Sequence, residues 1–482
     1  MRTDNKGKKP TVIMVTSNGV GAGHLIRASA IARKIQGEAR PIILSMAYSV
    51  IEVANSLNIE AEYVPSRDKK LMSVRKWDRY LRDRIIALID ETDAKVVTFD
   101  GVAPYPGFIQ AKYKRPEVAF IWVRRGMWRE TPKGLNLKLI KKVIDTVIEP
   151  GDYAYAYDFG PTKNLNDAIL CSPVSLYEPL ITLEKNQAKS FLGLDKDKTA
   201  VLLQLGVGAT DLNERISAAL NGLSSWDDVE IVMAKEPTDD KGNSLLPKGV
   251  TVKTIRHFPL ADVIHAFEAI ICAAGYNSVH EVIPAGIPTL LIDNSRGTDD
   301  QNARARWCSD AGLTLFAESN SLVEIERKSS ELKDRKVREK LKNSCTEVLL
   351  PNGASEIAAI LVKFLEEGSR YNYRKRAIRD LYRIKSYLRK GFLYITKRLI
   401  KNLIYLAATI YRYFIPKKYD HAKQLEVIFS DIFDSDKCGK LIKSDKRFEH
   451  ILLDHSQSYY NKRKKIAKKT YRVDDSYIKI YK

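Results

Sequence analysis

Three groups of residues in this chain have types and spacings that could do chemistry. The first is the run Asn18-Gly19-Val20-Gly21-Ala22-Gly23-His24, between a β-branched stretch and a helical pattern. Glycines there let backbone N–H groups turn toward an anion at the positive end of a helix. The run fails two familiar nucleotide tests. Its glycines read G-x-G-x-G, no acid closes the second strand, and no G-K-[ST] follows. A tight strand-to-helix turn is the plainer reading. His24 adds to the case for function, because a helix N-terminus disfavours protonation and leaves the neutral imidazole that a general base needs. Its bland alternative is a local hydrogen bond.

The second group ends neighbouring strands. Asp100, in Phe99-Asp100-Gly101, could orient or charge-stabilise His24, or it could cap a loop. Arg124 and Arg125, in Trp122-Val123-Arg124-Arg125-Gly126-Met127-Trp128, suit phosphate or carbohydrate contact, against a solvated pair. The third group is Gly275-Tyr276-Asn277-Ser278-Val279-His280-Glu281, followed by Gly286 and then Asp299-Asp300-Gln301-Asn302-Ala303. Glu281 can accept hydrogen bonds from adjacent hydroxyls beside a helix start that faces a diphosphate. Alternatively Glu281 is an ordinary N-terminal helix acid and Asp300 a cap.

Such groups need strands to hold them. Short β-branched runs at 12–16, 42–45, 62–64, 96–99, 118–123 and 147–149 alternate with amphipathic stretches, one of which carries Trp77, Leu81, Ile85 and Leu88 at helical spacing. The rhythm stops near 173–198 and restarts at 200–205, 230–233, 250–255, 270–273, 289–292 and 313–316, with a closing helix at 353–365. Two sets of about six strands predict an α/β chain of two tandem, Rossmann-like, doubly wound domains. A second glycine loop, Leu205-Gly206-Val207-Gly208-Ala209, mirrors the first and points to a ligand in the cleft between the halves. The expected divisions are 1–172, a linker 173–198, 199–368, and a basic, mainly helical extension 369–482.

Composition supports this division. The 482 residues are 44% hydrophobic, enough for sizeable cores, and carry a net charge of +21. Residues 370–482 hold 30 Lys and Arg against 11 Asp and Glu, so nearly all of the excess lies there. Five scattered cysteines, none in a C-x-x-C, argue against a disulfide framework or a cysteine zinc site and make a reducing cytoplasm the default. No run of 18 apolar residues suggests a membrane span. Asp195-Lys196-Asp197 and Asp434-Ser435-Asp436 fall away from the strand ends, so no catalytic metal is expected.

The blocks 18–24, 275–286 and 300–303 together resemble the glycosyltransferases of two-domain GT-B architecture. The resemblance extends to the N-acetylglucosaminyltransferases of peptidoglycan lipid intermediates and the galactolipid synthases of plastids. It implies an inverting, metal-independent hexosyl transfer from a nucleotide diphosphate donor, UDP-linked, which is a substrate and not a cofactor. It places His24 at the acceptor side with Gly19, Gly21 and Gly23. Gly208 and Phe258 fall on the donor side, Phe258 where the nucleobase is held. Gly275, Asn277 and Ser278 face the diphosphate, Glu281 the ribose, and Asp300 and Gln301 the donor sugar. One departure stands out: His24-Leu25-Ile26-Arg27 lacks the proline that the family carries a few residues after its histidine.

In the extension, Phe392, Ile395, Leu399, Leu403, Leu406, Ile410 and Phe414 recur at threes and fours, and a basic cluster follows at 462–469. This suits an anionic membrane surface, with packing on the body or nucleic acid as competing partners. The expectation is a peripheral enzyme on the cytoplasmic membrane face, acting on a lipid-linked or polysaccharide acceptor in cell-surface glycan synthesis. Rival readings are an epimerase of the same shape, needing no acceptor, and a nucleic-acid-binding protein working through its tail.

Overall fold

The first strand, Thr-Val-Ile-Met-Val-Thr, is buried at all six positions, as a strand covered by helices on both faces must be. It belongs to a computed structural model that describes residues 9–17, 22–67, 72–131, 137–206, 211–234, 251–294 and 298–369, all within one compact unit. The first half runs β1 (Thr11–Thr16), α1 (Gly23–Ile35), β2 (Arg40–Ser45), α2 (Val50–Leu57), β3 (Glu60–Tyr63), α3 (Val74–Thr92), β4 (Val96–Asp100), α4 (Pro106–Lys114), β5 (Ala119–Val123), α5 (Leu137–Lys141), β6 (Thr146–Pro150) and β7 (Ile169–Cys171). These strands form one parallel sheet in the order β3-β2-β1-β4-β5-β6-β7.

The second half runs α6 (Lys185–Phe191), β8 (Thr199–Gln204), α7 (Leu212–Ser224), β9 (Val229–Ala234), β10 (Val252–Ile255), β11 (Ala269–Ala273), α8 (Tyr276–Val282), β12 (Thr289–Ile292), α9 (Gln301–Asp310), β13 (Leu315–Ala317), α10 (Leu322–Glu331), α11 (Arg335–Thr346) and α12 (Gly353–Glu367). Its parallel sheet has the order β10-β9-β8-β11-β12-β13. Both sheets therefore reverse direction beside their first strand, between β1 and β4 and between β8 and β11. The carboxyl ends of those four strands frame the crevices that open α/β sheets offer to ligands.

Both sets of predicted strands are present. Trp77, Leu81, Ile85 and Leu88 are buried along one face of α3, as their spacing requires. Three further features appear in the structure. A seventh strand, β7, was too short at three residues to read from periodicity. The stretch 173–198 is no bare linker: it contains α6, buries Val174, Leu176, Tyr177 and Ala188, and sets Lys189 against Glu268 at 2.9 Å. The closing helix α12 belongs by packing to the first half. Its Ile357, Leu361 and Phe364 are buried and it lies along α1, each such side chain contributing about 1.5–3 kcal/mol. Asn352 caps it, accepting from Ala354 N at 3.0 Å while donating to Ser175 O at 2.9 Å. Gly353 permits this crossing, since a Cβ there would stand 1.9 Å from Ser172 O. The predicted helix at 392–414 and the basic cluster lie outside the described residues.

Candidate active site

The ends of β1 and β4 are paired, Thr16 beside Asp100, and Ser17 N donates to Asp100 O at 2.8 Å. That register aims the Asp100 carboxylate at the first turn of α1. His24 Nδ1 lies 2.7 Å from Asp100 Oδ1, and because a carboxylate only accepts, Nδ1 carries the proton and Nε2 the lone pair. Arg27, one turn along α1, closes a fork on the same carboxylate. Its Nε donates to Oδ2 at 2.8 Å, and its Nη2 donates to Oδ1. Arg27 and Asp100 are fully buried, and the His24 side chain is 15% exposed.

Burial pushes the His24 pKa below its ordinary value; Asp100 works the other way, and the positive charges of Arg27 and Arg125 add to the depression. Burial alone would raise Asp100, but Arg27 and His24 outweigh it and hold the carboxyl below its usual range. The result is a neutral imidazole with a fixed tautomer at a sheet edge. That is the arrangement of an oriented general base.

The second half supplies a facing surface. Gly275 precedes α8 with open space where a Cβ would stand, and Asn277 Nδ2 donates to Gly23 O at 3.1 Å, joining the two predicted blocks across the cleft. Ser278 is half-buried on the same helix. The Glu281 carboxylate has no hydrogen-bond or ion-pair partner among the described residues, and burial with the nearby negative charge of Asp262 pushes its pKa up to about 8. An unpartnered, half-buried carboxyl is costly unless something is meant to meet it. Phe258, after β10, packs its ring partly into the core.

The loop after β5 meets the loop before α9. Asp300 N donates to Met127 O at 3.0 Å, Arg129 N donates to Thr298 O at 2.9 Å, and Trp128 and Asp299 form an antiparallel bridge. Here two expected ligand groups are engaged within the protein itself. Arg124 does not reach toward a ligand: it is buried, donates to Glu149 at 2.9 Å and Asp167 at 2.6 Å, and stacks on Trp122. The side chain of Asp300 caps α9, accepting from Ala303 N at 3.0 Å, so the capping alternative describes it. Gln301 spends its amide on Asp299 at 3.3 Å and its carbonyl on Asn294 N at 3.1 Å. Arg125 does face the site, with Nη1 3.2 Å from Asp299 and a buried Nε that has no partner. Gly19, Gly21 and Gly208 lie outside the described residues.

Several residues of this centre escaped the sequence reading. Arg304 on α9 is fully buried and donates to Asp152 at 2.8 Å, to Asp299 at 2.9 Å and to Ala274 O at 3.0 Å, tying the first half to the second. Tyr276 lies between Arg27 and Arg304, whose guanidinium carbons stand 5.1 and 5.9 Å from its ring centre. Its hydroxyl donates to Gly151 O at 2.8 Å. A signal did exist for Arg27, which stands at i+3 from His24, and for Asp152, which follows Gly151 just after β6, as Asp100 at the end of β4 stands next to Gly101. His280, in contrast, is a core histidine: burial pushes its pKa down to about 4 and its Nδ1 donates to Tyr276 O at 2.6 Å. Among the described residues no cluster of His, Cys, Asp and Glu could hold a metal, and no helix is long and apolar enough to cross a membrane.

Two parallel-sheet halves, facing crevices and a terminal helix returning to the first half define a known architecture. The chain is similar over 75% of its length to all of a Rickettsia africae glycosyltransferase structure, at 12% identity and a TM-score of 0.50. It is likewise similar over 74% of its length to 97% of a Listeria monocytogenes structure described as a UDP-N-acetylglucosamine 2-epimerase, at 13% identity and 0.51. The chain has the GT-B glycosyltransferase fold. No protein-family model matches it. Its curated relatives are nevertheless glycosyltransferases of the kind the GT-B resemblance named, the UDP-N-acetylglucosamine–N-acetylmuramyl-(pentapeptide) pyrophosphoryl-undecaprenol N-acetylglucosamine transferases. The one from Nocardioides is 30% identical over 28% of this chain and 38% of its own length. That from Bacillus licheniformis is 24% identical over 47% and 63%. That from Rhodococcus jostii is 23% identical over 66% and 86%. The chain thus spans less than two thirds of the first two relatives and most of the third.

Proposed function

We propose that this GT-B chain is an inverting glycosyltransferase that moves a hexosyl group, N-acetylglucosamine in the first instance, from a UDP-sugar to a lipid-linked or glycan acceptor. The observation that carries the reading is the meeting of an oriented base with an unpartnered acceptor: His24–Asp100 on one side of the cleft, Glu281 on the other, and Asn277 joined to Gly23 between them. His24 Nε2 takes the proton of the acceptor hydroxyl as its oxygen attacks the anomeric carbon from the face opposite the diphosphate. The bond to the diphosphate breaks and the configuration inverts. Glu281 accepts from the ribose hydroxyls, and the N–H groups at Asn277 and Ser278 receive the departing charge. Arg125 is placed to steady a phosphate of donor or acceptor.

No step in this scheme calls on a metal. The net +19 of residues 370–482 supports attachment to an anionic membrane, at its cytoplasmic face, where a lipid-linked acceptor would be presented. The fold alone also suits an epimerase, so donor turnover without acceptor is the second reading. Thermal unfolding with UDP, with and without EDTA, tests the donor site. UDP at a hundred times its dissociation constant stabilises by about 2.7 kcal/mol. The shift should survive EDTA and disappear in Glu281→Ala. No shift with UDP or with other nucleoside diphosphates contradicts the reading.

A further inference from the structure

The family resemblance leaves one residue unexplained. Arg27 stands three residues after the loop histidine, in the segment that lacks the family's proline, and the structure puts its guanidinium in a buried fork on Asp100. One carboxylate oxygen, Oδ1, is thereby shared between His24 Nδ1 and Arg27 Nη2, which stand 3.0 Å apart. With Nδ1–H pointing at Asp100, these two nitrogens are neighbouring donors, not partners. An isolated carboxylate beside a histidine does two things at once. It fixes the tautomer, and it stabilises the imidazolium, so the histidine stays protonated to higher pH. A guanidinium on the same carboxylate separates the two effects.

We propose that Arg27 is a positioning residue: it locks Asp100 against the Nδ1 edge of His24 while cancelling its charge, so the base is oriented without being charged in advance. The inference rests on the reading of His24 as the base. The charged groups that face His24 among the described residues are Asp100 on β4, Arg27 on its own helix and Arg125 after β5; α8 presents the uncharged Asn277. Of these, Asp100 alone favours the imidazolium, and Arg27 is bound directly to it. Arg27 also stacks on Tyr276, the first residue of α8, so the element that sets the base is in contact with the donor side of the cleft.

The test reads His24 itself and needs no substrate. The full chain, labelled at histidine Cε1, is titrated by NMR, with the His24 signal assigned by its loss in His24→Gln. In the wild type the His24 signal should titrate below its ordinary value, because burial outweighs the pull of Asp100. Arg27→Gln raises that midpoint by about one unit or more, whereas Arg27→Lys, which keeps the charge and loses the fork, stays near the wild type. A folded Arg27→Gln whose His24 moves by less than about 0.3 unit overturns the proposal. If Arg27→Gln does not fold, Arg27→Ala takes its place with the same expected rise, and a wild-type His24 midpoint above about 7, that of an uncancelled histidine–carboxylate pair, overturns the proposal by itself. Loss of transfer in His24→Gln is a separate experiment, so a failed transferase reading and a failed Arg27 role cannot be confused.

Discussion

On the proposed donor-site reading, Glu281 meets the ribose as a protonated carboxyl, and binding should be visible as proton release. Without ligand its pKa stands at about 8, chiefly because burial penalises the carboxylate. At pH 7 roughly nine chains in ten then carry the proton. Two ribose hydroxyls donating to the group favour the carboxylate, so binding should expel about 0.9 proton at pH 7. Affinity should rise about tenfold per pH unit up to pH 8 and level off above it. UDP-N-acetylglucosamine is the ligand of choice, because its diphosphate is a diester with no group titrating in this range. Calorimetry in two buffers of different ionisation enthalpy measures the protons released. Glu281→Gln should release none. A wild-type binding enthalpy independent of buffer, with flat affinity from pH 6.5 to 8.5, would refute the reasoning.

The same shift has a stability consequence of definite sign. A carboxyl whose folded pKa is raised binds its proton more tightly in the folded chain, so its contribution is present below the unfolded value and lost as pH rises through about 8. At about 1.4 kcal/mol per unit the whole shift amounts to roughly 5 kcal/mol, and water at the half-buried group reduces this to about 2. Glu281→Gln without ligand should therefore unfold at higher temperature than wild type at pH 9, with little difference at pH 5. Equal melting at both values would count against a strained carboxyl. His24→Gln should lose about 10²–10⁴ in transfer rate while keeping its UDP melting shift, and loss of the UDP shift would place His24 elsewhere. Arg124→Ala breaks a buried ion cluster and should cost about 3–5 kcal/mol in urea unfolding, with kcat/KM of the folded fraction unchanged. A stable Arg124→Ala with raised KM would restore its phosphate role. Arg304→Met should cost a similar amount, about 3–5 kcal/mol, because Asp152 and Asp299 lose a shared buried cation. An unchanged midpoint would show that water replaces it.

What was legible in the chain followed period and position. Strand runs buried on both faces are continuous and β-branched, so both sheets could be read. Asp100 reads from sequence only as a residue at a strand end, equally a cap or a partner. Its pairing with His24 depends on β4 lying next to β1, a contact between residues 76 apart. The same distance effect separates residues that look alike in sequence. Arg124 and Arg125 are indistinguishable by type, yet the pleat sends one into Glu149 and Asp167 and the other toward Asp299. Asp299 and Asp300 split likewise, one into the ion network and one into a helix cap. Arg304 carried no motif, and the spacing of Arg27 and the glycine before Asp152 were signals too weak to assign a role. Their meaning appears only when Tyr276 stands between the two guanidiniums.

The most direct test supplies the enzyme with UDP-N-acetylglucosamine labelled in the sugar, with and without bacterial lipid extract and in the presence of EDTA. Acceptor-dependent UDP release is expected, with label passing into the lipid phase in inverted anomeric configuration and loss of both in His24→Gln. Label converted to an isomeric sugar nucleotide without acceptor, or transfer undiminished in His24→Gln, would contradict the proposed function.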